Sequence, residues 1–326
     1  MSKFANGIAV LTLGLSSFTV SAQQMEKVTA SWLPIMQTMA YYVALEEGLF
    51  EKAGIEINSV RFGNPNQIID SLVSGQADFG SPGAAAGIAM LAEARFPGTF
   101  KVFGLQGGGV EVGLINDGLI VQNGSTIKSF ADLRGKTLGT VPGVQWQTIA
   151  RYIVRQNGLD PDKDVRVTAV GVPLQLPSVV AGSVDATLSL EPVGSIAEAS
   201  GEATRAVVNP VAQHIADPFY SGAALLTTKF IEERPEVARK VVEVLDEATI
   251  LVNENFDKYR HILPKYTALQ PEHVELVAKP YLRAWSELDE VDLNSYQAFV
   301  DVFYKEGVLS EPINVRTKIL TTADFE

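Results

Sequence analysis

The chain has 326 residues, with 38 acidic and 26 basic side chains and a formal net charge of −12. This acidic balance argues against nucleic acid or an anionic membrane surface as the main partner, because both are held by basic patches. Cysteine is absent, which excludes disulfide scaffolds, thiolate metal sites and cysteine nucleophiles. At roughly 100–200 residues per domain, two domains are expected.

The N-terminus has the pattern of a secretory signal peptide. Lys3 precedes a short apolar run from Ile8 to Leu15, and small residues follow at Val20-Ser21-Ala22. The run is shorter than the roughly 20 apolar residues of a membrane-spanning helix. We therefore predict cleavage after Ala22 rather than a membrane anchor, and we expect the exported protein to be a soluble periplasmic monomer.

The first portion of the exported chain alternates strands with helices. Strands are predicted over residues 28–33, 55–60 and 77–80, and helices over 37–52 and 66–74. A further helix is predicted to begin at Ser81-Pro82-Gly83. This succession of strand, helix and strand is typical of a parallel sheet with helices on both faces.

The same scheme restarts in the middle of the chain. Strands are predicted over 136–140, 164–170 and 184–190, with helices after Gly143 and over 174–181. Residues 68–78 and 177–185 share an apolar helix end, a glycine, two residues and an aspartate that opens a strand. Two similar α/β units are therefore expected, and two extended segments, 114–123 and 223–228, are predicted to connect them.

The last portion is predicted to be helical and to pack on the first unit. One helix is expected from Pro235 to about Asn255, because apolar residues repeat there at helical spacing. Another, over residues 296–303, carries an apolar stripe and is predicted to be capped by Asp292. We assign these stripes to the core.

No catalytic constellation is visible in the sequence. None of the three histidines pairs with another at helical spacing, and none has a carboxylate partner at metal-ligand spacing. The glycine run from Gly107 to Gly113 lacks the spacing of a dinucleotide fingerprint, because residue 112 is valine. No metal and no cofactor are expected.

Sheet topology gives the candidate site. In parallel α/β sheets ligands bind outside the carboxyl ends of the strands, so the residues that follow each predicted strand are candidate ligand contacts. Amide and hydroxyl side chains are frequent among them and titratable pairs are rare, which suits recognition of a small polar molecule by hydrogen bonds and aromatic contact. The candidates are Trp32, Pro34, Gln37, Asn64, Gly80, Ser81, Pro82, Gln106, Gly143, Val144, Gln145, Gln175 and Glu191.

Several of these positions allow two interpretations. The turns Gly80–Pro82 and Gly143–Gln145 precede helices, whose N-terminal N–H groups suit an anionic oxygen, although simple helix capping is the alternative. Glu191 would suit an amine or ring N–H of a ligand, or is a solvated loop acid. Trp32 is an aromatic wall of the site or a core residue, and Trp146 is predicted to be core.

A series of short motifs then resembles a known family. Trp32-x-Pro34, Glu47–Ile57, Ser74–Asp78, Phe130–Lys136 and Arg234–Val237 fall in one order along the chain. That order is similar to the periplasmic substrate-binding proteins of ABC importers for nitrate, sulfonates, taurine and thiamine-precursor pyrimidines. The resemblance implies an α/β fold of two lobes, a type II Venus flytrap, in which each lobe is a mostly parallel sheet flanked by helices. We assign residues 1–22 to the signal peptide, 23–115 and 226–326 to lobe 1, and 116–225 to lobe 2.

The resemblance also implies a function without catalysis. The protein would capture a small nitrogen-bearing organic solute between the lobes, either an aminosulfonate such as taurine or an aminopyrimidine thiamine precursor, and deliver it to a membrane permease and its ATPase. The residues from Thr38 to Tyr42 lack the histidine common in thiamine-precursor binders, so the subfamily stays open. The alternative is a pyrimidine-synthase-like enzyme on the same fold, whose cysteine-rich motif this chain lacks.

Overall fold

The computed structural model describes residues 25–81 and 86–326. The predicted signal peptide lies outside these residues, and so does Pro82 of the predicted site. The strands are β1 (Glu26–Trp32), β2 (Ile55–Arg61), β3 (Phe79–Gly80), β4 (Phe100–Gly108), β5 (Asp117–Gln122), β6 (Lys136–Thr140), β7 (Val165–Ala169), β8 (Ala186–Leu190), β9 (Ala203–Val208), β10 (Phe219–Thr227) and β11 (Tyr281–Arg283).

Helices follow most strands, as the alternating pattern predicts. They are α1 (Met39–Glu46), α2 (Leu49–Lys52), α3 (Pro65–Val73), α4 (Ala86–Arg95), α5 (Val144–Gln156), α6 (Val172–Val180), α7 (Val193–Ser200), α8 (Pro210–His214), α9 (Thr228–Glu233), α10 (Pro235–Tyr259), α11 (Leu263–Tyr266) and α12 (Glu290–Lys305). The helix predicted over 37–52 is divided between α1 and α2, because Gly48 adopts a left-handed φ of 62°.

The strands form two sheets that share one topology. The six-stranded sheet has the order β11-β4-β10-β3-β1-β2, and the five-stranded sheet has the order β7-β6-β8-β5-β9. Apart from the extra edge strand β11, each sheet is parallel except for one inserted antiparallel strand, β10 in the first and β5 in the second. The predicted α/β fold of two similar units is therefore confirmed. We call the six-stranded sheet with its helices the first lobe and the other the second lobe.

Two aspartates in equivalent positions show the repeat at atomic detail. The carboxylate of Asp78 accepts a hydrogen bond from the backbone N–H of Thr29 on β1, at 2.8 Å. The carboxylate of Asp185 accepts one from the backbone N–H of Thr137 on β6, also at 2.8 Å. Each aspartate thus fixes the start of one strand, β3 or β8, against its parallel neighbour, β1 or β6, which explains the shared glycine-to-aspartate spacing in the sequence.

The two segments predicted to connect the lobes are instead strands within the sheets. Residues 117–122 form β5, inside the second sheet, and residues 223–227 belong to β10, which pairs with β3 and β4 of the first sheet. The chain crosses between the lobes earlier in both cases, around residues 109–116 and 209–218. The predicted lobe boundary at 225/226 therefore falls inside β10. Extended apolar patterns indicated strands here, but not the sheet in which they pair.

The helical portion packs on the first lobe. The long helix α10 lies against α1, and its Val241 and Val252 are fully buried. The apolar stripe of α12 is buried as predicted. Its cap is different, since Asp289 accepts hydrogen bonds from the N–H groups of Val291 and Asp292, at 2.8 and 3.1 Å. Asp292 lies at the third helical position and completes the capping box from there.

Candidate functional site

A cavity of about 270 Å³ lies between the two lobes. Its walls come from the loops after β1 and β2 of the first lobe and after β6, β7 and β8 of the second, where the carboxyl ends of parallel strands meet. Most of the lining side chains are apolar. They are Leu33, Pro34, Ile35, Arg61, Phe62, Gly63, Pro65, Val141, Val172, Pro173, Leu190 and Ala268. Of the twelve predicted site residues that the structure describes, Pro34 is the one in this lining.

Arg61 is the ionisable residue among those lining the cavity, and the sequence analysis missed it. It ends β2 opposite Trp32 of β1, and its guanidinium carbon lies 5.8 Å from the centre of the Trp32 ring. Within the described ranges no carboxylate forms an ion pair with it. The signal that could have found Arg61 was its position at the end of the strand that precedes Phe62 and Gly63.

Trp32 occupies the core rather than the wall of the cavity. Its side chain is 7% exposed, and its indole N–H donates to the Ser59 hydroxyl at 2.8 Å. The ring packs edge-on against Tyr42 and Tyr266. Its aromatic face is therefore used in packing the first lobe and in supporting Arg61.

Gln37 joins a buried polar network at the crossing between the lobes. Its amide nitrogen donates to the side-chain oxygen of Asn116 at 2.7 Å, and the Ser221 hydroxyl donates to the same oxygen at 3.2 Å. Asn116 in turn donates to Asp117 at 2.7 Å. The amide oxygen of Gln37 is buried and finds no hydrogen-bond partner in the part of the chain that the structure describes.

Gln145 links the lobes directly. Its amide oxygen accepts from the backbone N–H groups of Gly87 and Ile88 in α4, at 2.8 and 3.3 Å. Its amide nitrogen donates to the backbone oxygen of Ser221 at 2.9 Å. Both ends of this fully buried side chain are therefore occupied by protein. The next residue, Trp146, is fully buried, as predicted for a core residue.

The remaining predicted residues of the first lobe have mixed surroundings. Gly80 is packed tightly, since a Cβ there would lie 3.0 Å from Ile68. The Ser81 hydroxyl and the Gln106 amide oxygen are buried without a hydrogen-bond partner among the described residues. Asn64 caps α3 by accepting from the N–H of Asn66 at 2.8 Å.

Gly143 and Val144 line a different groove from the cavity. At φ 109° Gly143 precedes α5, and both residues lie in a groove of about 330 Å³ together with the Arg155–Glu306 ion pair. That ion pair joins α5 to the end of α12, so the groove follows a second contact between the lobes. The predicted anion site at the N-terminus of α5 is therefore separate from the cavity.

Glu191 is neutralised by a partner that the sequence analysis did not identify. Arg205, on β9, donates to its carboxylate at 2.7 and 3.2 Å, and the Ser195 hydroxyl donates to it at 2.6 Å. The side chains of Glu191 and Arg205 are only 2% and 5% exposed. A carboxylate held in this way is not available to a ligand amine, and the predicted role of Glu191 loses its basis.

Asp117 is a second buried acid close to Glu191. Burial raises the pKa of Asp117 to about 7, and the nearby charge of Glu191 adds to the rise, against hydrogen bonds from Asn116 and from the backbone N–H of Val211. The polar crossing between the lobes therefore contains an acid that changes charge near neutral pH.

Gln175 is the most unusual predicted residue. It is fully buried on α6, and neither its amide nitrogen nor its amide oxygen has a hydrogen-bond partner among the described residues. Buried amides in folded proteins are normally hydrogen-bonded. The partner of the Gln175 amide must therefore come from outside the described residues.

Two further properties concern the described residues as a whole. Within residues 25–81 and 86–326, none of the helices is long and apolar enough to span a bilayer. The same residues contain no group of three or more histidine, aspartate and glutamate side chains placed to hold a metal ion.

Comparisons with known proteins identify the family of the chain. A model described as the NMT1-like family matches residues 21–263. The chain is 24% identical over 290 residues to a Brucella abortus protein named as a binding protein, covering 87% of this chain and 86% of that one. It is 24% identical over 276 residues to a Bacillus subtilis protein named for binding aliphatic sulfonates, covering 85% of this chain and 80% of that one.

Solved structures show the same fold. The alkanesulfonate-binding protein of Xanthomonas axonopodis pv. citri, solved with bound MOPS, superposes with a TM-score of 0.72 at 18% identity, over 92% of this chain and 99% of that one. The desulfurization enzyme DSZB also superposes, with a TM-score of 0.65 at 16% identity, over 92% and 97% of the chains. The fold by itself therefore does not separate a receptor from an enzyme.

Proposed function

Because the chain belongs to the NMT1-like family, we propose that it is the solute-binding receptor of an ABC importer. One observation carries this proposal: a cavity of about 270 Å³ lies between two lobes and is lined by both of them. A solute that contacts both lobes favours the closed arrangement over an open one. The closed form would then dock on a membrane permease and its ATPase.

The ligand class that we propose is a small organic solute with a sulfonate-type acid group. Relatives are named for binding sulfonates, and the cavity presents the cation of Arg61 with apolar walls. Glu191, the predicted partner of the nitrogen groups of taurine and aminopyrimidines, is paired with Arg205. We therefore expect these two ligands to bind more weakly than an alkanesulfonate. The pyrimidine-synthase-like alternative is supported by the shared fold alone.

Export to the periplasm is part of the proposal. The apolar run and the small residues before Gln23 support it. Expression of the full chain in a Gram-negative host, followed by fractionation and N-terminal sequencing, is expected to give a periplasmic protein that begins at Gln23. Retention of Met1 in a cytoplasmic product would contradict export.

Thermal unfolding of the exported protein, stripped of ligand by unfolding and refolding, tests the receptor function. The panel contains alkanesulfonates, taurine, nitrate, aminopyrimidines, thiamine and small aromatic acids. A ligand at 1,000 times its Kd adds about 4 kcal/mol to the free energy of unfolding, which raises Tm by roughly 8–16 °C. One strong shift with a sulfonate is the expected result. No shift across the panel at millimolar concentrations would contradict the proposal.

A further inference from the structure

A groove of about 530 Å³ lies beside the two chain crossings, and its walls come from both lobes. The turn that follows β4 forms the wall of the first lobe and contains Val110. The end of β9 forms most of the wall of the second lobe and contains Val207 and Val208. Among the described residues that line this groove, none is charged, although the chain has a formal net charge of −12. We call it the back groove.

Two valines on opposite walls of the back groove are exposed to solvent. The exposed fraction is 52% for Val110 and 42% for Val208, and Val207 beside it is half-buried. Single exposed valines are common on protein surfaces. These valines differ because they line one groove from two different lobes. A movement of the lobes can therefore bury them against each other.

Hydrogen bonds fix the valines of each wall in place. The carboxylate of Asp217, just before β10 of the first lobe, accepts from the backbone N–H of Val110 at 3.0 Å. In the second lobe, the side-chain amide of Gln213 on α8 donates to the backbone oxygen of Val208 at 2.7 Å. Each wall is thus bonded to its own side, and the two walls can move as rigid parts of their lobes.

The back groove and the cavity lie on opposite sides of the chain crossings. In the first sheet the cavity is at β1 and β2, whereas the crossing chains leave from β4 and β10 on the other side. In the second sheet the cavity is at β6, β7 and β8, whereas β5 and the edge strand β9 meet the crossings. A rotation about the crossings that separates the lobes at the cavity therefore brings the walls of the back groove together.

We propose that the back groove closes when the lobes open, so that Val110 packs against Val207 and Val208 and stabilises the open, unliganded form. This inference rests on the proposed function, in which a solute binds by favouring the closed arrangement. A solute must then expose these valines again when it binds. Because the measured affinity falls with the population of the binding-competent form, the back groove lowers the affinity and keeps the empty receptor open to its solute.

Distances between pairs of spin labels test the movement. Since the chain has no cysteine, two introduced cysteines carry the only labels. Glu111→Cys with Gln213→Cys forms the back pair, and Gln67→Cys on α3 with Leu174→Cys on α6 forms the front pair. All four positions are exposed. In the unliganded protein we expect the back pair to be closer together, and the front pair further apart, than in the structure.

Added solute should reverse both changes. The probe is butanesulfonate at saturating concentration. If butanesulfonate gives no shift of Tm, the probe is the panel solute with the largest shift. With the probe bound, the back pair should move apart and the front pair should move together.

Affinity gives a second test, with an increase as the expected result. Val110→Ser and Val208→Ser each remove part of the apolar contact of the open form, so the same probe should bind three- to tenfold more tightly than to wild type by calorimetric titration. Val291→Ser changes a valine on α12 that is 58% exposed. It is the matched control and should leave the affinity unchanged.

Two double variants test whether residues 110 and 208 approach each other. Val110→Asp with Val208→Asp places like charges on the two walls, whereas Val110→Asp with Val208→Lys places opposite charges there. The pair of like charges disfavours the open form, so this variant should bind the probe more tightly than the variant with opposite charges. The difference should shrink at 1 M salt, because salt screens exposed charges. Equal affinities at low salt would contradict the approach of the two walls.

The outcomes separate this inference from the receptor function. If a panel solute binds but the back pair in the unliganded protein is no closer than in the structure, the inference is wrong and the receptor function stands. Unchanged or weaker affinity of both serine variants would also overturn the inference. If no panel solute binds, the receptor function is wrong, and the two label distances in the unliganded protein still decide whether the back groove closes.

Discussion

The contact between the lobes has two sides of opposite character. The apolar side, formed around Leu33, Ile35, Val141 and Leu190, encloses the cavity. On the polar side, Gln37 and Ser221 of the first lobe bond to Asn116 in the crossing segment, Asn116 bonds to Asp117, and Gln145 of the second lobe bonds to Ser221. Two of the polar residues predicted for the site, Gln37 and Gln145, therefore make hydrogen bonds where the lobes meet. We propose that the solute binds where the side chains are apolar.

The variant with the largest expected effect lacks Arg205, the cation that neutralises Glu191. Arg205→Met leaves a buried, uncompensated carboxylate, so the free energy of unfolding should fall by about 3–5 kcal/mol, as measured by urea denaturation. Glu191→Gln keeps the acceptor for Ser195, and the double variant should lose less than the sum of the single variants. Affinity of Glu191→Gln for an acidic ligand should stay within threefold of wild type. A tenfold loss would return Glu191 to the site.

The raised pKa of Asp117 gives the polar side a pH dependence. The folded protein holds this proton up to about pH 7, whereas the unfolded chain releases it near 3.8. The contribution of Asp117 is therefore fully present below about pH 4 and is lost as pH rises to about 7, an effect of roughly 2–4 kcal/mol. The difference in stability between wild type and Asp117→Asn, measured from pH 4 to 8, should follow this course. A difference independent of pH would contradict it.

Gln145 tests whether the polar side holds the lobes closed. Gln145→Leu removes the acceptor of two N–H groups of α4 and a donor to Ser221. We expect a loss of about 2–3 kcal/mol in the free energy of unfolding and a larger radius of gyration of the unliganded protein in small-angle scattering. Gln147→Leu, which changes an exposed glutamine of the same helix, is the control. An unchanged radius of gyration for Gln145→Leu would contradict this role of Gln145, because other contacts would then hold the lobes closed.

Trp32→Phe is expected to have the smallest effect on stability. This variant tests whether Trp32 is a core residue or part of the cavity wall. Trp32→Phe removes the hydrogen bond to Ser59 and leaves an aromatic ring in the cluster with Tyr42 and Tyr266. Stability should fall by about 1 kcal/mol, while ligand affinity changes less than threefold because the ring supports Arg61 from beneath. If the affinity loss exceeded tenfold with intact stability, Trp32 would be a direct ligand contact.

The sequence predicted the fold well because its signals are local. Strand alternation, helix periodicity and the repeated glycine-to-aspartate spacing before Asp78 and Asp185 each act within a few residues. By the same route it predicted the edge of the sheets at which the cavity lies. Pairing partners are long-range, so β5 and β10 were mistaken for connections between the lobes.

The site itself depended on contacts that no local pattern records. Arg205 lies 14 residues from Glu191, and Gln145 meets α4 across 58 residues. A polar side chain at the end of a strand looks the same in the sequence whether it faces a ligand or another lobe. Apolar residues such as Leu33 and Val141 looked like core, although they line the cavity.

Blocking the cavity tests the central claim most directly. Gly63 lines it, and a Cβ at Gly63 meets nothing within 4 Å, so Gly63→Trp can place a large ring at the cavity without displacing the core. Glu56→Trp, at an exposed position of the preceding strand β2, is the control. We predict that Gly63→Trp keeps the Tm of unliganded wild type but binds the solute identified in the panel at least tenfold more weakly by calorimetric titration. Unchanged affinity would show that the solute binds elsewhere and would contradict the account.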